Sequence, residues 1–427
     1  MIVVGARPNF MKAAPVVFKI HDHNATVAAL SGEPQATPEE KIQLVLVHTG
    51  QHYDEAMSGS FFSDLGLPKP NVHLEVGSGS HAVQTAEIMR RFEGVLIEEK
   101  PDVVVVFGDV NSTVACALVT SKISPDSRGK RPLIAHVEAG LRSFDRGMPE
   151  ELNRILTDHL SDLLFVTEES GKENLCREGV MPEKIHFVGN TMIDSLLASE
   201  EKSEKSAILD QVGLRSRSNG STNGVRRYAL LTLHRPSNVD NRDTFLSILE
   251  GLQELSGSCP VFFSAHPRTQ KRIAEFGLEH FFQPGNESEP AGIRLLGPLG
   301  YLDFLCLMKH AALVVTDSGG VQEETTCLMV PCVTVRENTE RPVTVTCGTN
   351  VIAGTSSENI RKAVKDQMNG RKQARVPEKW DGKAAARIVE TILREFERRN
   401  STSRSLEGTS AATMVRGAEG TGHPGLP

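Results

Sequence analysis

Cysteine is scarce and scattered in this chain. The seven among 427 residues, Cys116, Cys176, Cys259, Cys306, Cys327, Cys332 and Cys347, are odd in number and form no C-x-x-C pair. That usage argues against a disulfide framework and a cysteine zinc site, and it predicts a reducing compartment. Long apolar runs are also missing; none approaches the roughly 20 residues that cross a bilayer. The opening MIVVGARPNFMK has no basic segment, and Arg7 interrupts its short apolar run, so no signal peptide is expected. Neither charge sign dominates: 47 Lys and Arg stand against 54 Asp and Glu. That balance argues against a protein devoted to binding nucleic acid or an anionic membrane by bulk charge, but not against a local cation cluster for one small anion. The expected setting is the cytoplasm.

What the chain does have is apolar material, 39% of its residues, at a length that suggests several domains. Short β-branched runs alternate with amphipathic segments such as Ala82–Lys100 and Arg242–Ser256. The runs are Ile2–Val4, Leu44–Val47, Val103–Phe107, Leu133–His136, Leu163–Val166, Ile185–Val188, Tyr228–Leu233, Val261–Ala265, Ile293–Leu296, Leu313–Thr316, Cys332–Val335 and Asn350–Ile352. Runs apolar without alternation are strands buried on both faces of a parallel sheet. The pattern predicts an α/β protein of two doubly wound, Rossmann-like domains facing a cleft. The polar stretch Glu200–Arg227 shows no strand or core signal, and the division is placed near Gly189–Leu196. The expected domains are therefore 1–190 and 191–380, with a helix Asp381–Arg399 crossing back to brace the first. His21–Glu40 and Ser124–Arg131 read as surface insertions, and the tail 400–427 as disordered.

Ligands of open α/β sheets sit beyond the carboxyl ends of the strands, so residues following strands carry the information. Arg7 and Lys12 follow the first strand in a loop that is neither a dinucleotide fingerprint nor a P-loop; two solvated surface cations are the plain alternative. Asp109 and Glu138 are expected just past two further strands, where either could instead cap a helix. Glu150 stands in a helix first turn, a place the helix dipole favours for any acid. In the second domain Ser318, Gly319 and Gly320 open a helix with exposed N–H groups suited to a phosphate, and Glu324 lies further along, placed for a sugar hydroxyl. His234 and His266 follow the first two strands there, as cleft groups or structural residues, and Arg341 lies in a loop after Cys332–Val335. Phosphate-binding groups on one wall and carboxylates on the other suggest a nucleotide-sugar enzyme.

The motifs GARPNFMKAAP, HTGQHYD, FGDVNST, HVEAGLRSFDRGMPEELNR, GNTMIDSL, TLHR, HPRT, TDSGGVQEE and TERP occur in that order. Together they resemble the non-hydrolysing UDP-N-acetylglucosamine 2-epimerases over roughly residues 1–399. The resemblance implies the glycosyltransferase-B arrangement, a homodimer, no metal or nicotinamide cofactor, and interconversion of UDP-GlcNAc and UDP-ManNAc through 2-acetamidoglucal. It implies catalytic positions at Asp109, Glu138, Glu150, His234 and Lys12. UDP contacts are implied at Arg7, Ser318, Gly319, Gly320 and Glu324, further cleft positions at Arg341 and His266, and a uracil site at Phe304. Many bacterial members read TAQHRQ where this chain has Thr49-Gly50-Gln51-His52-Tyr53-Asp54, replacing a glutamine that helps hold an allosteric UDP-GlcNAc. SFDRGMPEE is closer to relatives acting on modified UDP-HexNAc, diacetamido uronic acids included, whereas Glu340-Arg341-Pro342 is closer to the plain UDP-GlcNAc enzymes. A glycosyltransferase would share the UDP wall but does not require the carboxylates in that number. A hydrolysing epimerase differs only in hydrating the glucal, and a non-catalytic sensor has no use for the acid–base positions.

Overall fold

The computed structural model describes residues 1–30, 41–51, 65–125, 130–215, 224–282, 292–370 and 372–416, without the side chains of Arg7, Leu30 and 402–416. Two parallel sheets organise it. The first contains β1 (Ile2–Val4), β2 (Leu46–His48), β3 (Val72–His73), β4 (Val103–Phe107), β5 (Leu133–Ala139), β6 (Leu163–Val166) and β7 (Ile185–Phe187), in the order β3-β2-β1-β4-β5-β6-β7. The second contains β8 (Ala229–Thr232), β9 (Val261–Ser264), β10 (Ile293–Leu296), β11 (Leu313–Thr316), β12 (Cys332–Thr334) and β13 (Asn350–Ile352), in the order β10-β9-β8-β11-β12-β13. Each is a doubly wound Rossmann-like sheet whose order reverses at one point, between β1 and β4 and between β8 and β11. In open sheets of this kind such a reversal is where ligand crevices form.

All twelve apolar runs become strands, with ends shifted by up to three residues. β3 went unread because it is two residues long and not buried. β5 runs three residues past its apolar stretch and takes in Glu138. The residues 21–30 are not an insertion but the end of a helix, Arg7–Leu30, which continues through Pro15. Proline at 15 cannot donate to the carbonyl of Met11. Ser195 Oγ donates there instead, at 2.5 Å, tying this helix to the helix Thr191–Ser203. Nor is 200–227 without core: Ile208, Leu209 and Leu214 are buried, and Arg215 bridges Val225. Three spaced apolar residues in a polar stretch make too weak a period to read.

The helix Thr191–Ser203 packs on the helices Arg7–Leu30, Tyr301–His310, Gly319–Cys327 and Ala384–Arg416. One apolar core therefore runs from Phe10 and Val17 through Met192 and Leu196 to Leu305, Met308 and Val321. The chain then returns to the first sheet. Trp380 Nε1 donates to Thr167 O at 3.0 Å, and Asp194 accepts the N–H groups of Ala384 and Ala385. The last helix spans Ala384–Arg416, not Asp381–Arg399. Asp381 is in the turn before it, paired with Arg387 at 2.6 Å. The segment 400–416, expected to be disordered, continues the helix because it contains no proline and a single glycine, Gly408. Residues 417–427 lie outside the described residues. Among those described, no helix is long and apolar enough to cross a membrane.

Candidate active site

The β1 and β4 ends are stitched together before any charge is placed. Asn9 Oδ1 accepts the N–H groups of Gly5 and Ala6 at 3.2 Å, and its Nδ2 donates to Phe107 O at 2.9 Å. A Cβ on Gly5 would come within 2.1 Å of Ser112 Oγ, so only glycine allows this approach. One turn along the helix, buried Lys12 pairs with Glu138 Oε2.

Glu138 does not follow its strand; it is the bulge within β5. The register slips between Val137 and Ala139, and Glu138 has φ +76°. A left-handed non-glycine residue costs on the order of 1–3 kcal/mol and persists only where its surroundings fix it. Here His136 and Asp158 do so. The His136 ring bridges Asp158 Oδ1 at 2.7 Å and Gly108 O at 2.8 Å, while Asp158 Oδ2 takes Gly140 N at 3.1 Å. The bulge turns Glu138 towards the β4 end instead of leaving it in the alternation of the strand.

Asp109 follows Gly108 and binds Arg154 through one oxygen, Oδ2, at 3.0 Å to Nε and 2.7 Å to Nη2. Burial opposes its ionisation, but Arg154, Lys12 and Arg341 outweigh that and hold it below the ordinary carboxylate range. Glu150 is half-buried, and no ion pair of its carboxylate is recorded among the described residues. Its neighbour Glu151 is the anchored acid: it accepts Phe144 N at 2.8 Å and pairs with Arg154 at 2.5 Å.

On the second wall, Asp317 at the end of β11 is fully buried and accepts the N–H groups of His234 and Arg235. His234 Nδ1 lies 3.0 Å from Asp317 Oδ1, with the ring half-exposed. Burial opposes ionisation of Asp317, and His234 overcomes it, so the carboxyl titrates below its usual range. An aspartate on Nδ1 fixes the tautomer and leaves Nε2 for acid–base work. Ser318 caps the helix Gly319–Cys327, and a Cβ on Gly319 would meet Glu340 Oε1 at 2.8 Å. The glycine turn therefore presses against the turn that carries Arg341.

Arg341 joins the two walls. Its Nη2 pairs with Glu138, Nη1 lies 2.9 Å from Glu340 Oε1, and Nε lies 2.9 Å from Glu323 Oε1, all buried. Glu340 also binds Arg336 at 2.8 Å, and despite burial Arg341, Arg336 and Arg154 hold it well below the ordinary range. Burial pushes Glu323 up to about 7.

The family model for UDP-N-acetylglucosamine 2-epimerase matches residues 35–393. A UDP-N-acetylglucosamine 2-epimerase of Methanocaldococcus jannaschii is 42% identical over 397 residues, covering 92% of this chain and 98% of that one. The chain belongs to the UDP-N-acetylglucosamine 2-epimerase family. A crystal structure of a UDP-GlcNAc 2-epimerase from M. jannaschii, in complex with UDP-GlcNAc and UDP, superposes with TM-score 0.77 at 41% identity, covering 92% and 99% of the two chains. A UDP-2,3-diacetamido-2,3-dideoxy-D-glucuronate 2-epimerase of Pseudomonas aeruginosa is 36% identical over 397 residues, covering 92% and 99%. The fold is that of the family, two Rossmann-like sheets in the glycosyltransferase-B manner.

For this epimerase-family chain, the structure gathers Lys12, Asp109, Glu138 and Arg341 into one charged cluster and sets Ser318 to Gly320 beside it. It does not draw in every residue read from the sequence. His266 is exposed and caps its helix, Nδ1 accepting Arg268 N at 3.3 Å. Phe304 packs against the core, and its N–H donates within the helix to Gly300 O at 3.0 Å. Glu324 is buried and accepts Tyr301 Oη–H at 3.0 Å, where a sugar hydroxyl was expected; burial pushes it up to about 7. Arg7 starts the first helix, with its side chain outside the described residues, as are His52, Tyr53 and Asp54 of the departing motif. Gln51 of that motif is buried and accepts Ser112 Oγ–H at 2.7 Å. Arg154, Arg336, Glu323, Glu340 and the holding role of Asp317 went unread. One signal was available: Glu151 and Arg154 are one helical turn apart and share a face.

Proposed function

We propose that this chain interconverts UDP-GlcNAc and UDP-ManNAc by eliminating UDP across C1–C2 and re-adding it with the C2 hydrogen on the other face. The observation that carries the reading is the meeting of the two walls at Arg341, where a carboxylate from the β5 bulge reaches the turn packed against the phosphate cradle. C2 has no ketone beside it, so its hydrogen is not acidic enough for simple removal and return. In the elimination the C2 proton passes to an enzyme base while the C1–O bond breaks and its electrons leave with UDP; re-addition reverses both. Departure of UDP builds negative charge on the diphosphate, which the N–H groups of Gly319 and Gly320, Arg341 and Arg7 stabilise, the Ser318 N–H being donated to Thr316 Oγ1. Positive charge near C1 is met by the carboxylates. Asp109, with Oδ1 clear of Arg154, suits the base, and Glu138, Glu150 and His234 Nε2 are the further acid–base groups. Lys12 holds Glu138 in place.

The same reading includes a homodimer, which light scattering tests, a cytoplasmic setting, and a division between residues 190 and 191 about which the two sheets close. Proton NMR of the purified protein with UDP-GlcNAc in D₂O is the decisive measurement. UDP-ManNAc with deuterium at C2 of both sugars supports the proposal, and free ManNAc as main product overturns it in favour of a hydrolysing enzyme. The SFDRGMPEE segment and the 36% identical diacetamido-uronate epimerase favour a second substrate class. Turnover of a UDP-diacetamido uronic acid with UDP-GlcNAc left unchanged would establish that class instead.

A further inference from the structure

Three carboxylates share the guanidinium of Arg341, and they are not equally supported. Glu138 has a second cation in Lys12, and Glu340 has Arg336 at 2.8 Å and Arg235 at 3.6 Å. Among the described residues Glu323 pairs with Arg341 alone, is 1% exposed, and neither of its oxygens has a hydrogen-bond partner. A buried carboxylate with one shared cation and no hydrogen bond is the costliest of the three to ionise. Gly319 and Glu323 lie one turn apart on the same helix face, so Glu323 stands behind the phosphate cradle on its Arg341 side.

We propose that Glu323 is a positioning residue that carries a proton when the UDP-sugar is bound: as a neutral acid it braces Arg341 Nε from behind and leaves the guanidinium charge to Glu138 and the diphosphate. The proposal rests on the epimerase reading and deepens it. The charged groups that face Glu323 are Arg341 and, through it, Glu340; Glu138 of β5; Lys12 of the first helix; Glu168 beyond β6; and its neighbour Glu324. Burial is the main reason its carboxyl is pushed up to about 7, with Glu138 adding and Arg341 and Lys12 opposing. A diphosphate drawing on Arg341 removes part of that opposition, so binding favours the protonated acid.

Calorimetry of UDP binding in two buffers of different ionisation heat measures the proton directly. For the wild type, Glu323-dependent uptake rises from near none at pH 6 to about one proton at pH 8, because the free acid is already protonated at the lower pH. Glu323→Gln, equal in size and neutral, loses that uptake while its UDP affinity at pH 6 stays within about threefold of wild type. In the epimerisation assay, wild-type kcat/KM falls about tenfold per unit above pH ~7 and the variant profile is flat there. Glu168→Gln separates the two acids and is expected to retain the uptake. Uptake kept in Glu323→Gln, or lost in Glu168→Gln, overturns the proposal. Glu323-dependent uptake without epimerisation refutes the proposed function alone, and epimerisation without that uptake refutes this inference alone.

Discussion

Asp109 and Glu324 show how one side-chain type takes opposite states within a single molecule. Asp109 is surrounded by Arg154, Lys12 and Arg341 and is held ionised. Its conversion to Asn keeps the shape and removes the proposed base. Turnover of Asp109→Asn is expected to fall by about 10²–10⁴-fold, with UDP affinity, measured by calorimetry, within about threefold of wild type. Lost UDP binding would make Asp109 structural. Glu324 is pushed up to about 7 by burial. A folded carboxyl raised above its unfolded value keeps its proton while the unfolded chain loses one, so stability falls as pH rises from about 4.5 to 7 and levels off above. Asp317 and Glu340 have the opposite sign, and their stability is lost only as pH falls below about 4. Glu324→Gln keeps a hydrogen-bond acceptor for Tyr301 and cannot titrate. Its Tm is expected to fall less steeply than that of wild type between pH 5 and 7, and parallel curves would refute the assignment.

At the scale of elements, the structure relies on exceptions to regular geometry that neighbours then satisfy. Pro15 leaves the Met11 carbonyl without its helical donor, and Ser195 supplies one from the connecting helix. Ser195→Ala would leave that buried acceptor unpaired, at a cost of about 1–3 kcal/mol. Denaturant unfolding should record that loss, and an unchanged midpoint would mean water replaces the hydroxyl. The β5 bulge is a second exception. The apolar run announces the strand at Leu133, but neither the slip at Glu138 nor its left-handed backbone has a sequence signature, because a glutamate is not a bulge-forming residue. Only the His136–Asp158 pair, assembled from a strand and a helix 22 residues apart, makes that backbone stable.

For the whole molecule, the junction between the two sheets combines apolar packing with buried charge. The apolar core crosses along the helix Thr191–Ser203, and the charged cluster crosses at Arg341 and Glu138. Arg341→Lys retains the charge but offers a point cation where three carboxylates meet the separate nitrogens of a planar guanidinium. Such a site does not tolerate the exchange. A loss of kcat/KM on the order of 10²-fold is expected, with buried acids left short of partners. Wild-type kinetics in this variant would mean that the cluster is only packing.

The sequence by itself determined the layers. Unalternating apolar runs such as Val103–Phe107 and Leu313–Thr316 became the strands they spell, because burial on both faces leaves no other use for them. It also placed the glycine turn that opens the helix Gly319–Cys327, since Ser318-Gly319-Gly320 after a strand is a local instruction that the backbone carries out locally. Tertiary structure alone decided the states and partners of the acids. That Glu151 anchors a loop while Glu150 has no ion pair among the described residues, and that Glu340 is held ionised while Glu323 is pushed towards neutrality, depends on which cations arrive from distant parts of the chain. It also decided that Glu324 meets Tyr301 and that His266 only caps a helix. Apolar burial is written as a local pattern in sequence, whereas the energy of a buried charge is set by neighbours that only the fold brings within about 4 Å.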